Sequence, residues 1–454
     1  MAPRPHQPVP DRSSTMTKVI TAAPPLHGHT GPILAVTADL VRRGHEVVFV
    51  GGSRFARTVE AMGARFVALP TDADFDDRDL NAAFAGRAEA PAGPARVGYD
   101  LMHVFTDPMP GQYRALRELL AEFPAEVVIA DTAFLGAQAL TMALPKGGRP
   151  VVISVNAGAP SLPSVDTAPF GFALPPMPGE QGRARNAALN AEAEALGAPL
   201  ALYAAEIFAR AGVAWPDGSF VGILATSSDH YLQLSVPGFE YPRSDAPASF
   251  QLIGALPSPG GDDAELPAWW ADVTRGDRPV VVVTQGTAAN DDLSELIVPT
   301  MQALAGRDDL LVVAATARPD GPDLLVGAVG ELPGNARAGS YLPFERLLPH
   351  ADLLVTNGGY GGVHTALRHG VPLVVAGGSE DKPEVAARVQ WSGTGIDLRT
   401  GTPGAAEIAA AVAKVLDDPA YRERAGELAV TLAEYRPLDT IAGLVDGRHP
   451  QARQ

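Results

Sequence analysis

The feature that most constrains this chain is an alternation, run through twice, of short apolar stretches with helix-spaced ones. From Lys18 it reads KVITAA, a helix over Ile33–Arg43 closed by Gly44, EVVFVGG, a helix over Phe55–Met62 closed by Gly63, and RFVALP. The pattern continues through a helix over Gln112–Glu122, EVVIAD at 126–131, a helix from Phe134 and PVVISV at 150–155. It then restarts with PVVVVTQGT (279–287), a helix from Leu293 to Ala305, LLVVAAT (310–316) and ARAGSYLP (336–343). DLLVTNGG (352–359), a helix over Val363–Arg368, VPLVVAGG (371–378) and a helix from Pro383 to Trp391 complete the second round. Apolar runs without polar alternation are strands buried on both faces, and strands joined through helices run parallel. The expectation is an α/β chain of two doubly wound halves facing each other.

The 454 residues are about three times a typical domain, which leaves room for two large halves. We expect a disordered, Pro-rich leader over 1–16, a first domain over 17–236, a joint over 237–265, a second domain over 266–418, and a helical tail over 419–454 that could pack back on the first domain. Between Asn156 and about Leu202 the periodicity lapses, and six prolines with Phe170, Phe172 and Leu174 predict a long apolar loop. Composition removes several function classes. Acidic residues outnumber basic ones 52 to 35, a net charge of −17, and no basic stripe is present, so a nucleic-acid surface is not expected. The absence of cysteine excludes disulfides, thiolate metal sites and a thiol nucleophile. Neither a signal peptide nor a membrane-length apolar run appears, so a cytoplasmic location is expected.

In open α/β sheets, ligands lie beyond the carboxyl ends of strands, often at a helix start. That rule selects four places. LHGHTGP at 26–32 puts His27 and His29 in a loop before a helix expected to start near Pro32; either histidine could simply bond the loop. Asp131 ends the run Val127–Ala130, where an ionised carboxylate is costly without a donor, though it could equally cap the following helix. If strands one and four adjoin, His29 and Asp131 can form a proton-accepting pair. The turn T-N-G-G-Y-G-G-V, with Gly358, Gly359, Gly361 and Gly362, suits a diphosphate, with a plain tight turn as the alternative; it matches neither GxxxxGK[ST] nor GxGxxG. SEDKPEVA at 379–386 offers Glu380, Asp381 and Lys382 at an exposed edge, either for sugar hydroxyls or for capping. Thr287, in TQGTAAN, is a further phosphate donor. The acidic run 72–79 reads as a solvated loop, so no metal site is expected.

These motifs resemble the nucleotide-sugar-dependent glycosyltransferases of the GT-B fold, in the UDP-glycosyltransferase superfamily, and within it the bacterial branch that decorates antibiotics and other natural products. The resemblance runs from Lys18 onward and is most specific over YLPFERLLPHADLLVTNGGYGGVHTALRHGVPLVVAGGSEDKPEVAARV. It implies two Rossmann-like domains across a cleft, with His29 of H-T-G-P as general base and Asp131 of I-A-D-T-A-F as its orienting carboxylate. For the donor it implies Thr287, Tyr341, Phe344, Asn357, Gly358, Gly359, Gly361, Gly362, Val363, Asp381 and Lys382. Tyr341 stands at the usual Trp, Phe344 at a Gln, Asn357 at the diphosphate His, Lys382 at a Gln, and Thr365 at a ribose-holding Glu. The last change leans the donor toward a dTDP-sugar over a UDP-sugar.

The implied reaction is inverting and metal-independent, with the nucleoside diphosphate sugar as co-substrate and no other cofactor. Met102, Phe105, Phe170 and Phe172 offer apolar surface to a small lipophilic hydroxylated acceptor, with His103 nearby. The competing readings are a non-catalytic sugar-nucleotide-binding or auxiliary protein of the same fold, and a nucleotide-sugar epimerase.

Overall fold

The computed structural model describes residues 16–91, 93–257, 265–286, 290 and 292–448. Its strands are β1 (Lys18–Ala22), β2 (Glu46–Gly51), β3 (Arg65–Ala68), β4 (Val127–Asp131), β5 (Val151–Asn156), β6 (His230–Gln233) and β7 (Phe250–Leu252). After the joint come β8 (Val280–Thr284), β9 (Leu311–Ala315), β10 (Ala336–Gly339), β11 (Leu353–Thr356), β12 (Leu373–Val375) and β13 (Gly395–Asp397). They form two parallel sheets, ordered β3-β2-β1-β4-β5-β6-β7 and β10-β9-β8-β11-β12-β13. Each is doubly wound, which is the architecture the alternation predicts.

Both faces of each sheet are buried, and the residue alternation shows how. In β4, Val128 and Ala130 join one core while Val127 and Ile129 join another; in β8, Val280 and Val282 separate likewise from Val281 and Val283. A fully buried Val contributes about 1.5–3 kcal/mol, so these runs hold the sheets without polar help. Strand β1 pairs on one side with β2 and on the other with β4, with Ala22 opposite Ala130. That register places the chain leaving β1 beside Asp131, the last residue of β4.

Several elements depart from the sequence reading. The first helix is His27–Arg42, so LHGHTGP is not a loop: His27 and His29 lie in its first turn and Pro32 lies inside it. Asp77 makes this early start possible by accepting the His27 backbone N–H at 2.6 Å. The acidic run is therefore a helix support as well as a surface loop; Asp74 accepts the Ser53 N–H at 3.2 Å, and Asp72 pairs with Arg114 at 2.7 Å. The stretch read as loop to Leu202 is a loop only to Pro178, after which Gly179–Arg210 forms a 32-residue helix. Its signal was hidden because it buries little, chiefly Gly182, Asn186, Ala204, Ile207 and Phe208. Helices also begin at Ile297 rather than Leu293, at Tyr360 rather than Val363, and at Lys382.

The segment 237–265 contains β7, an edge strand of the first sheet, and Phe239, which inserts into a core of the second half. Its residues 258–264, like the leader residues 1–15, lie outside the described ones. Near the end, the helix Pro419–Glu434 packs Ala425, Leu428 and Leu432 into the second half. The next helix, Pro437–Val445, returns to the first, burying Ile441 and Ala442 with Val19 and Ile33 while Asp439 accepts from Arg43 at 2.6 Å. Among the described residues no helix is long and apolar enough to cross a membrane.

Candidate active site

His29 Nδ1 lies 2.9 Å from Asp131 Oδ1. Nδ1–H donates to the carboxylate, which leaves the Nε2 lone pair available to take a proton. Asp131 is 1% exposed on its side chain while His29 keeps 36%, so the acid is locked in protein and the imidazole opens to the cleft. The Ala133 N–H donates to Asp131 Oδ1 at 2.8 Å, whereas Oδ2 is buried without a partner. An unpaired buried oxygen costs about 1–3 kcal/mol, so Asp131 is poorly explained as a stabilising residue. Burial pulls the His29 pKa down, but the Asp131 charge and hydrogen bond, with Asp381 and Glu380 beyond, leave it above the ordinary 6.5.

His27 serves differently. It stacks on Phe55 at 6.5 Å, and burial with the Arg54 charge lowers its pKa. The ring of His29 instead meets that of Phe105 in a T-shaped contact at 5.6 Å. Phe105 belongs to a single π-helical turn, Asp100–Thr106, that also carries Met102 and His103; such turns commonly mark functional sites. His103 is bound to Asp107 at 2.8 Å and stands edge-on to Tyr203. Phe170 packs against the second core rather than within the first half, and its loop is pinned there by Glu384 Oε1, which accepts Gly171 and Ala173 N–H at 2.9 and 2.7 Å. Phe172 is half-buried in the same loop.

The opposite wall is built largely from backbone. Gly358 has φ +89°, and a Cβ there would stand 2.8 Å from Val375, so this turn requires glycine. A Cβ on Gly361 would meet nothing within 4 Å: its missing side chain leaves open space at the helix start. Gly359 precedes the helix Tyr360–Arg368, whose first N–H groups have no intrahelical acceptor. Val363 is buried in the core, so it can offer only backbone. Asn357 Nδ2 donates to the Gln285 carbonyl, while its Oδ1 is buried without a partner. Tyr341 is 64% exposed, a free aromatic face, and Phe344 is half-buried against the core. Thr287 lies outside the described residues.

The edge after β12 differs from its sequence reading. Lys382 is buried, not exposed, and pairs with Glu380, whose φ of +57° is unusual for a residue with a side chain. Asp381 Oδ2 accepts the Ala159 N–H at 3.0 Å, tying this edge to the first half. Burial holds the Asp381 pKa above the ordinary 3.8. Thr365 is buried and its hydroxyl donates to Gly361 O at 2.9 Å, within its own helix.

The comparisons with known proteins decide the family. Residues 300–446 match the model described as the erythromycin biosynthesis protein CIII-like C-terminal domain. A protein named UDP-glycosyltransferase 2, from Phaeomoniella chlamydospora, is 40% identical over 445 residues, covering 96% of this chain and 95% of its own. The chain belongs to the UDP-glycosyltransferase superfamily. The 4'-demethylrebeccamycin synthase of Lentzea aerocolonigenes is 39% identical, over 94% of this chain and 98% of its own. Among solved structures, the glycosyltransferase of kitacinnamycin shares the fold of this glycosyltransferase with a TM-score of 0.71, at 23% identity, over 96% of this chain and 99% of its own. Spinosyn rhamnosyltransferase complexed with thymidine diphosphate gives 0.63, at 18% identity, over 94% and 99%.

Sequence reading missed a buried polar group that joins the two halves of the glycosyltransferase. It includes Asn156, Gln233 and Glu240 from one side and Tyr360 and Arg388 from the other. A signal was available: Arg388 interrupts the apolar run Val385–Val389, and a charge placed there has to find a buried partner.

Proposed function

We propose that this glycosyltransferase moves a sugar from a nucleoside diphosphate sugar, dTDP- or UDP-linked, to a hydroxyl of a small lipophilic natural product, with inversion. The observation that carries the reading is the 2.9 Å contact between His29 and Asp131 at the cleft. His29 Nε2 removes the acceptor proton, Asp131 stabilises the imidazolium, and the oxygen attacks the anomeric carbon as the diphosphate leaves from the opposite face. General-base help supplies about 10²–10⁴-fold. The remainder falls to positioning and to donors around the leaving group: the helix start at Tyr360, the backbone at Gly358, Gly359, Gly361, Gly362 and Val363, and Thr287. Asn357 adds an amide, and Asp381 and Lys382 border the sugar.

The first half holds the acceptor, with Phe105 against the base and Met102 as apolar surface, to which Phe170 and Phe172 add from a loop pinned to the second half. The second half holds the donor, with Tyr341 stacking on the base of the nucleotide and Phe344 beside it. The reading is metal-independent, and the acidic run supports it because Asp72, Asp74, Asp76 and Asp77 are engaged by Arg114, Ser53, Arg78 and Arg54. Relatives named for UDP and for rebeccamycin synthesis support both the donor class and the natural-product acceptor.

The test is incubation of the purified protein with a panel of UDP- and dTDP-sugars and hydrophobic hydroxylated compounds, read by mass spectrometry. A glycoside of inverted anomeric configuration is expected. Nucleotide binding with no product would favour a non-catalytic binder, and an epimerised sugar nucleotide would favour an epimerase.

A further inference from the structure

A continuous set of hydrogen bonds, to which the Gly158 carbonyl adds a branch, crosses from the strand of Asp131 in the first half to the glycine turn of the second. Thr132, next to Asp131, donates its hydroxyl to Asn156 Oδ1 at 2.9 Å. Asn156 Nδ2 donates to Gln233 Oε1 at 2.8 Å, and Gln233 Nε2 donates to the Tyr360 hydroxyl at 2.7 Å. The Tyr360 hydroxyl donates in turn to Glu240 Oε1 at 2.7 Å. Glu240 Oε2 accepts from Arg388 Nε at 2.9 Å, and Arg388 Nη1 reaches Glu384 at 2.8 Å, the residue that pins the 171–173 loop. From Thr132 to Tyr360 every donor points the same way, toward the Glu240 carboxylate, so each of those bonds polarises the next, while Arg388 donates to that carboxylate from the other side.

The position of Tyr360 gives this path its meaning. It is the first residue of the helix that follows Gly358 and Gly359, so its backbone belongs to the donor turn while its hydroxyl lies among residues of the first half. We propose that Tyr360 is a positioning residue, which sets the donor turn in register with the His29–Asp131 pair through Gln233 and Glu240. The inference rests on the transfer reading above and deepens it. In-line attack needs the acceptor oxygen and the anomeric carbon held to within a few tenths of an ångström, and here the two are held by different halves of the chain. Buried polar and ionic links add little stability over apolar packing of the same volume; fixing one geometry is what they can supply. Burial and Glu240 raise the phenol well above its ordinary pKa, so it remains a donor at working pH. Other links remain when this one is cut: Ser235 with His364 at 2.8 Å, and Asp381 with Ala159.

Tyr360→Phe removes the hydroxyl and keeps the ring. The expected result is a kcat at least about tenfold lower at saturating donor and acceptor, with nucleoside diphosphate Kd within about twofold of the parent. The acid limb of the pH–rate profile should not move, because His29 and Asp131 are untouched. Gln233→Leu cuts the same link from the other side and should reproduce the pattern. Parent-like kcat in a folded Tyr360→Phe, or a Kd that weakens in step with kcat, overturns the proposal while leaving the transfer reading intact. Absence of glycoside from the parent protein overturns both. If both variants unfold at the assay temperature, the link serves stability alone and the proposal also falls.

Discussion

The two walls of the cleft are made differently. In the first half the proposed reactive groups are side chains, His29 and Asp131, carried by a helix start and a strand end and held together by one hydrogen bond. In the second half the corresponding turn after β11 presents backbone, with glycine where a Cβ would collide at Gly358 and where space is left open at Gly361. A proton must be taken by a group with the right pKa, which backbone cannot supply, whereas a diphosphate is well met by several fixed N–H dipoles. The contrast predicts that damage to the first wall costs turnover and damage to the second costs nucleotide affinity.

His29→Ala is the strongest attempt to break that division. It should lower kcat by about 10²-fold or more and leave nucleoside diphosphate Kd within about twofold, measured by steady-state kinetics and calorimetry. Near-full turnover would remove His29 as the base.

Asp131→Asn should follow with a smaller loss and a shifted pH profile. In the proposed mechanism the working base is neutral His29, so the rate should rise with pH through its pKa, which Asp131 holds above 6.5. An amide removes the charge and leaves burial, which acts downward, so the acid limb should move to lower pH. Adding His29→Ala to Asp131→Asn should cost much less than the product of the single losses, since the two act as one unit. Fully multiplicative losses, or an unmoved acid limb, would separate them.

Gly361→Val tests the second wall. A Cβ at this position meets nothing within 4 Å, so thermal stability should change little, but the side chain would enter the space proposed for the diphosphate. Nucleotide Kd should weaken about tenfold, roughly 1.4 kcal/mol. Undiminished binding would move the diphosphate away from this turn.

The smallest effect concerns the nucleoside. With Thr365 buried and bonded to Gly361, no carboxylate grips the ribose from this position, so dTDP should bind at least as tightly as UDP. UDP binding about tenfold tighter would show that another residue holds the ribose.

Much of this was legible in the residues. The strands were readable because a run such as Val280–Val283 is apolar at every position, a pattern that a strand with one solvent face does not show. The glycine turn was readable because Gly358 and Gly359 fall between a strand and a helix, although Gly361 and Gly362 lie inside the first turn of that helix. What misled was local chemistry outweighed at a distance. Pro32 looked like a helix start, yet Asp77, 50 residues away, receives the His27 N–H and lets the helix begin earlier. The long helix Gly179–Arg210 carries too few buried residues for periodicity to reveal it, and Lys382 looked exposed because its charge, beside Glu380 and Asp381 at a strand end, gave no local sign that packing buries it against Glu380.

The sequence by itself determined the two parallel sheets, the strand ends where ligands could lie, and the residue types offered there, because each is written in a short window of pattern and turn chemistry. Tertiary structure decided which of those residues meet. His29 and Asp131 are 102 positions apart and come together because β1 lies between β2 and β4, a strand order set by how the crossovers wind and not by any local pattern. The link from Asn156 through Tyr360 to Arg388 arises in the same way, since buried polar groups far apart in the chain take whatever partners the packed halves bring within about 3 Å.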